Sequence, residues 1–552
     1  MNLNTPTPQP RRVRIIEWAA LIALPLFLLL PLVLQPLVGS ASHKFDLLFA
    51  FNLVTSLLWL ALFHLVSTRP VVTYLLLAPL FVTTAIDLFL LYAFKARLSS
   101  SYVTIALTDY ADTGEFFSAY ARPVALAVFA LVLVYLPSLY AIRRLRRPRT
   151  RWAAGAAVAL LAAIYGASSA WGVWKGTEVA RSVLDVMGKD LGAPVGVVFQ
   201  TGLAVHMLQD AKELREKRQA STLHATKTFS ADGEIYVWIV GESSRPGNWS
   251  LFGYGRDTSP RMRTTAGVVG LPNMLSTAPH TSIAVPSMLS LQPITDWPAV
   301  IGTRSVVSAF NEAGFKTYWF SAQEADSWGG YVPWVAAEAK RRRYFDRIFD
   351  GVLLDEFRSV VADAGRGDKV FIVLHTKGSH IDYTRRYPPE FDRFKTPGGA
   401  YRERVIDSYD NSILYTDWFI AEVIATLAQH KGHSALLYAS DHGENVLDDE
   451  QHLLGHALGN RHDLETAALF WLSEPLRQRT PAAVAALKTN ARAPLSLSNL
   501  PHSMLQLAGI QADGLDLSRS VFSPAFAPQP RSYIVRGSLR TYAHNIGGAA
   551  AP

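Results

Sequence analysis

Three runs in this 552-residue chain place hard ligands immediately after an apolar stretch. IYVWIV is followed by Gly241-Glu242-Ser243-Ser244, VFIVLHT by Lys377-Gly378-Ser379-His380, and SALLYAS by Asp441-His442-Gly443-Glu444. A further segment, STAPHTSIAVPSMLS, lies between the first and second and offers the hydroxyls of Ser276, Thr281 and Ser282 beside His280. Each has an ordinary reading on its own: a carboxylate at a strand end often caps a helix, and Thr281 could simply be a helix-start hydroxyl. Taken together, carboxylates, an imidazole and a hydroxyl suit a catalytic zinc or a manganese-type ion. The chain has no cysteine, so thiolate zinc sites, disulfides and cysteine nucleophiles are excluded. A divalent ion of this kind lowers the pKa of a hydroxyl and neutralises charge on a phosphodiester, and the nucleophile must then be Ser or Thr.

The elements that position these groups follow from periodicity. From Glu234 onward, IYVWIV, FKTYWFS, VFIVLHT and SALLYAS have the length and composition of buried parallel strands, and SVVSAFNEA and YDNSILYTDWFIAEVIATLA those of the helices between them. Strands alternating with helices predict a doubly wound, mostly parallel α/β sheet over residues 233–546, in which functional residues collect just beyond the carboxyl ends of strands. Residues 177–232 form a connector with helical character, and its AKELREKRQA stretch has the charge spacing of an exposed helix.

The N-terminal third is of a different kind. The chain is 49% apolar and 18% charged, with a formal net charge of +8. Residues 1–176 hold fifteen Lys/Arg against six Asp/Glu, or +9, which leaves thirty-eight against thirty-nine, or −1, for the rest. Five stretches, Ile15 to Val38, Phe45 to Val66, Val71 to Phe94, Pro123 to Ile142 and Trp152 to Val173, are long enough to cross roughly 30 Å of hydrocarbon. The arginines before the first span and the six between Arg143 and Arg151 predict a cytoplasmic N-terminus and export of everything after Lys175. The basic charge therefore marks topology and argues against nucleic acid as partner. In the loop before Arg122, Thr104, Thr108 and Asp112 fall at i, i+4 and i+8, one polar stripe if helical, which could meet a lipid headgroup or simply be solvated.

These motifs resemble those of the bacterial inner-membrane phosphoethanolamine transferases. IVGESSRPGNWSLFGYGRDTSP is similar to the family's opening motif, HTSIAVPSMLS to its nucleophile segment, LHTKGSHIDYTRRYPPEF to its substrate-histidine segment, YDNSILYTDWF to a further signature and ASDHGEN to its metal motif. The resemblance implies a five-helix transmembrane domain over 1–176, the connector over 177–232, and a periplasmic domain of alkaline-phosphatase/sulfatase type over 233–546. It implies Glu242, Thr281, Asp441 and His442 as ligands of one catalytic Zn²⁺, with a second ion left open. Thr281 would be the nucleophile, with His280, Ser276 and Ser282 as rivals, and His380 and His456 would act on the substrate, with His452 as the rival for the later position. Thr104, Thr108, Asp112 and Gln323 complete the implied substrate-binding set.

Phosphoethanolamine would pass from phosphatidylethanolamine to Thr281 and on to lipid A, lipopolysaccharide core or another envelope glycan, with the protein acting as a monomer. Two departures stand out: Thr277 and Ser287 occupy positions where lipid-A-modifying members carry cysteines, and Thr104 and Asp112 stand where those members have Asn and Glu. The rivals are a phosphoglycerol transferase, a sulfatase, for which no Cys/Ser-x-Pro-x-Arg context surrounds Thr281, and a non-catalytic membrane sensor, which would lack ligands that are present here.

Overall fold

The computed structural model describes residues 213–229, 233–323, 331–345, 349–535 and 537–542, with residues 81–91 and a few further positions between 78 and 135. Thr104, Thr108 and Asp112, and most of the five expected spans, lie outside the described residues. Among the described residues no helix is long and apolar enough to cross a membrane. The chain divides into two compact units, Met1–Thr104 with Tyr120–His206, and Ile105–Ala119 with Met207–Pro552. In the first, residues 81–91 are helical and the buried Phe81 ring meets Tyr135 edge-on at 4.7 Å.

The second unit is built on a seven-stranded sheet whose strands are labelled in chain order: β1 Glu234–Gly241, β2 Val268–Gly270, β3 Lys316–Ser321, β4 Arg341–Tyr344, β5 Lys369–His375, β6 His433–Ser440 and β7 Ala468–Leu472. Their spatial order is β2-β7-β6-β1-β5-β3-β4. The five strands from β6 to β4 are parallel, while β7 runs antiparallel to both its neighbours. The four apolar runs expected as parallel strands are β1, β3, β5 and β6, side by side in the middle of the sheet. All eight residues of β1 are buried, because neighbours flank both its edges and side chains cover both its faces.

Successive strand residues face opposite sides. Tyr236, Trp238 and Val240 share one core with helices α1 (Thr281–Met288) and α2 (Val306–Glu312), where Phe310 stacks on Phe371 at 3.9 Å. Ile235, Val237 and Ile239 are equally buried on the other side of β1. Helix α3 (Tyr401–Ala428) buries Ile413, Ile420, Val423 and Leu427 along one stripe and packs on β6. Truncating a ring such as Phe310 to alanine would cost about 3–5 kcal/mol, since lost transfer energy and a cavity add. The helix begins eight residues before the YDNSILYTDWF stretch because YRERVIDS is also helix-forming and the Glu403 carboxylate accepts the Ala400 N–H at 2.7 Å.

Residues 213–220 are helical and mostly exposed, as the charge spacing suggests, with one exception. Arg218 is buried, donating to Glu338 at 2.7 Å and to the Ile301 carbonyl at 3.1 Å. The other Glu338 oxygen accepts from Ser305 N and Ser308 Oγ. Thr226–Lys227 then pairs with Ile510–Gln511, so 213–229 is fastened to the α/β unit at two places. Removing one partner of a buried pair strands the other charge and typically costs about 3–5 kcal/mol.

Candidate active site

Register explains why distant residues converge. Gly241 pairs with Ser440 and Val240 with His375, so β1, β6 and β5 leave the sheet at nearly the same level. The next residues are Glu242, Asp441-His442 and Thr376 through His380. β1 ends in a left-handed turn at Ser243, φ 55°, which lets the Ser243 N–H reach Asp441 Oδ1 at 3.4 Å and the Ser243 hydroxyl donate to Glu242 Oε1 at 2.9 Å. Gly378 lies so close that a β-carbon there would sit 2.7 Å from the Glu242 carbonyl oxygen, and its φ of +49° also favours glycine. The buried Asp350 carboxylate accepts the N–H groups of Lys377 and Gly378, and burial pushes its pKa up to about 6 against those two donors.

Helix α1 starts at Thr281 and delivers its hydroxyl into this space. Thr281 Oγ1 donates to Glu242 Oε2 at 3.0 Å and lies 3.4 Å from His442 Nε2. His442 Nε2 is 3.1 Å from Glu242 Oε1 and 3.5 Å from Asp441 Oδ2. His442 Nδ1 donates to the Gly443 carbonyl at 2.8 Å, which orients the ring with Nε2 towards the carboxylates. Glu242, Asp441 and His442 are fully or almost fully buried. The protonation pattern follows from crowding. Burial would raise the Glu242 pKa, but His442, His380 and His456 hold it well below the usual range. Burial and the Glu242 charge push Asp441 up to about 7. Burial would lower His442, but Asp441 and Glu242 outweigh it and raise the imidazole to about 10.

This donor set fits a divalent ion. Glu242, Asp441 and His442 each present a ligand atom within 4.8 Å of the others, and Asp441 Oδ2 is buried with no hydrogen-bond partner among the described residues. Two buried carboxylates beside one imidazole form a pocket short of positive charge, with an unsatisfied oxygen aimed into it. The hydroxyl of Thr281 lies beside these atoms, 3.0 Å from Glu242 Oε2 and 3.4 Å from His442 Nε2. Its rivals are engaged elsewhere: Ser276 Oγ is buried against the carbonyls of Ala278 and Asp441, and Ser282 pairs with His280 Nδ1 at 3.0 Å.

A second group lies alongside and is less enclosed. The His456 ring centroid is 4.2 Å from that of His442 and 5.7 Å from that of His380. His456 Nδ1 donates to Glu444 Oε2 at 2.9 Å, and the Tyr383 hydroxyl donates to Glu444 Oε1 at 2.8 Å. His452 is exposed and donates to the Leu447 carbonyl, away from this group. Gln323, at the end of β3, spends its amide nitrogen on Glu242 Oε2 and the Thr376 carbonyl.

Sequence reasoning names Glu444 and Ser243 within their runs but gives them no role, and it misses Arg245. Glu444 sits inside the ASDHGEN run, two residues after His442, and could have been found from that spacing. Arg245 gave no local signal. Its buried guanidinium reaches Asn248 Oδ1, the Glu444 carbonyl, Asp448 and His462, and so ties the loop after β1 to the loop carrying His456.

The sulfatase family profile matches residues 234–510, half of the chain and the whole of the sheet. The chain belongs to the sulfatase family. Phosphoethanolamine transferase EptC of Escherichia coli is 28% identical to this sulfatase-family chain over 317 residues, covering 53% of this chain and 54% of the relative. Phosphoethanolamine transferase EptA of Salmonella typhimurium is 31% identical over 309 residues, covering 52% and 56%. The chain thus spans about half the length of the curated relatives it matches. Among solved structures, the periplasmic domain of Escherichia coli EptC in complex with zinc superposes with a TM-score of 0.53 at 26% identity, covering 60% of this chain and 98% of that one. The integral membrane protein EptA of Neisseria meningitidis shares the fold with a TM-score of 0.69 at 21% identity, covering 92% and 98%.

Proposed function

We propose that this sulfatase-family protein transfers phosphoethanolamine from phosphatidylethanolamine to a cell-envelope glycolipid, lipid A or lipopolysaccharide core, through a covalent Thr281 ester. The observation that carries the reading is the placement of the Thr281 hydroxyl at 3.0 Å from Glu242 and 3.4 Å from His442, in a chain whose relatives are named phosphoethanolamine transferases. Glu242, Asp441, His442 and Thr281 would hold one zinc ion. When bound, such an ion supplies Lewis-acid stabilisation of the phosphoryl charge and eases ionisation of a hydroxyl.

The chain's own residues account for the remaining steps. Thr281 Oγ passes its proton to Glu242 Oε2, the acceptor of its hydrogen bond, and attacks phosphorus as the bond to the diacylglycerol oxygen breaks, while diacylglycerol leaves with a proton donated by His380 or His456. An oxygen of the acceptor then forms a bond to phosphorus while the Thr281 Oγ–phosphorus bond breaks, and Thr281 regains its hydroxyl proton. The Glu444 carboxylate accepts from His456 Nδ1, which orients the ring and assigns the proton transfer to Nε2. A five-span anchor over 1–176 in the bacterial inner membrane, with a cytoplasmic N-terminus and a periplasmic catalytic domain, would hold the enzyme beside a donor lipid that never leaves the leaflet.

Peptide mass spectrometry of zinc-loaded protein incubated with phosphatidylethanolamine tests this reading. A phosphoethanolamine adduct on Thr281 is expected; its complete absence, with phosphatidylglycerol yielding an adduct instead, transfers the reading to a phosphoglycerol transferase.

A further inference from the structure

Glu242 is gripped by four groups, and one of them arrives from a strand that contributes no ligand. Oε1 accepts from Ser243 Oγ at 2.9 Å and faces His442 Nε2 at 3.1 Å. Oε2 accepts from Thr281 Oγ1 and from Gln323 Nε2, each at 3.0 Å. The remaining proton on Gln323 Nε2 goes to the Thr376 carbonyl at 3.1 Å. An amide facing one carboxylate oxygen and one carbonyl can present only its NH₂ group, because the flipped orientation would set oxygen against two acceptors. The Gln323 backbone is held in turn, its N–H donating to Ser321 Oγ at 3.0 Å. The side chain therefore bridges the ends of β3, β1 and β5. A substrate-binding residue would turn its donors outward, and here both donors point into the protein.

From this geometry we infer that Gln323 is a positioning residue for Glu242: it fixes the plane of that carboxylate and so sets the affinity of the cluster for a divalent ion. Two neighbouring carboxylates that must both face one ion repel each other when the site is empty, and an uncharged amide that gives one proton to Glu242 Oε2 and the other to the Thr376 carbonyl holds Glu242 in place without adding a competing charge. Partners of this kind behind a ligand are generally worth about 10–100-fold in metal affinity. The inference rests on the reading of Glu242, Asp441 and His442 as metal ligands, but needs neither the identity of the donor lipid nor the fate of the phosphoryl group.

The test uses the full-length protein in detergent with Gln323→Met, of similar length but without donors, and Gln323→Asn, which keeps the amide one methylene shorter. Thermal unfolding of the metal-free proteins first checks that both remain folded. Zinc affinity, read by competition with a chromophoric chelator, is expected to fall about 10–100-fold in Gln323→Met and less in Gln323→Asn. In the transfer assay at saturating zinc, KM for phosphatidylethanolamine should stay within about twofold of the parent. If Gln323→Met binds zinc like the parent while KM rises, the residue contacts substrate and the inference is overturned. If zinc affinity falls as expected but the parent forms no lipid adduct, the positioning role stands and the proposed function falls. Should a folded Gln323→Met lose neither affinity nor activity, the bridge is ornamental and the inference fails.

Discussion

The two imidazole groups at the carboxyl end of the sheet lie close together and yet differ in almost every physical respect. The inner group, Glu242, Asp441 and His442, is sealed and rich in carboxylate, and its members contact one another directly. The outer group, His380 and His456 with Glu444 behind, is partly open, and its one carboxylate is already satisfied by Tyr383 and His456. Burial makes the inner group an electrostatic liability until a cation enters. Partial exposure leaves the outer imidazoles within reach of whatever approaches. A site that must both hold an ion and handle a leaving group needs both environments, and the fold supplies them from adjacent loops.

The sharpest way to break this division is at Thr281, the proposed nucleophile, which contacts the inner group. Thr281→Ala should lower transfer on the order of 10⁴-fold or more and abolish the adduct. Zinc content should fall less steeply, since three ligands remain. If transfer survives, the oxygen that attacks is not Thr281. His456→Ala should lower turnover about 10²–10⁴-fold with zinc content unchanged, whereas His452→Ala should alter neither. Loss of zinc in His456→Ala would merge the two groups into one.

Proton linkage separates them next. A bound ion must displace the protons that the empty inner group holds. With His442 protonated up to about pH 10, apparent zinc affinity should rise about tenfold per pH unit above pH 7. Below about 7 Asp441 holds a proton as well, so the slope should approach two protons, about a hundredfold per unit. Chelator competition at pH 6, 7 and 8 reads this directly, and a flat profile would show that the carboxylates and His442 are not the ligands.

The smallest effect expected lies outside both groups. Thr277 and Ser287 meet hydroxyl to hydroxyl, with Ser287 also donating to the Ala284 carbonyl. Ser287 has then used its only proton, so Thr277 is the donor between them. Thr277→Val should cost about 1 kcal/mol in denaturant unfolding and leave zinc affinity unchanged.

Much of this was legible before any coordinates. The four central strands were visible as short apolar runs because strands covered on both faces need no polar alternation. Glu242, Asp441 and His442 stand out because hard ligands directly after such runs are costly without a purpose, whereas only the family resemblance favours Thr281 over His280, Ser276 and Ser282. The antiparallel course of β7 was not readable, since ALFWL is as apolar as the parallel strands of the sheet. Nor was the burial of Arg218 in a charged helix, because its partner Glu338 lies 120 residues away.

The sequence by itself determined the chemistry available: no thiol, several carboxylates and histidines at strand ends, and a threonine at a helix start. Tertiary structure decided which of these groups meet. Register brought Glu242 level with Asp441, a loop tied down by Glu444 set the His456 ring beside His442, and the end of β3 turned the Gln323 amide inward onto Glu242. These choices depend on distances between segments far apart in the chain, and local periodicity carries no information about such distances.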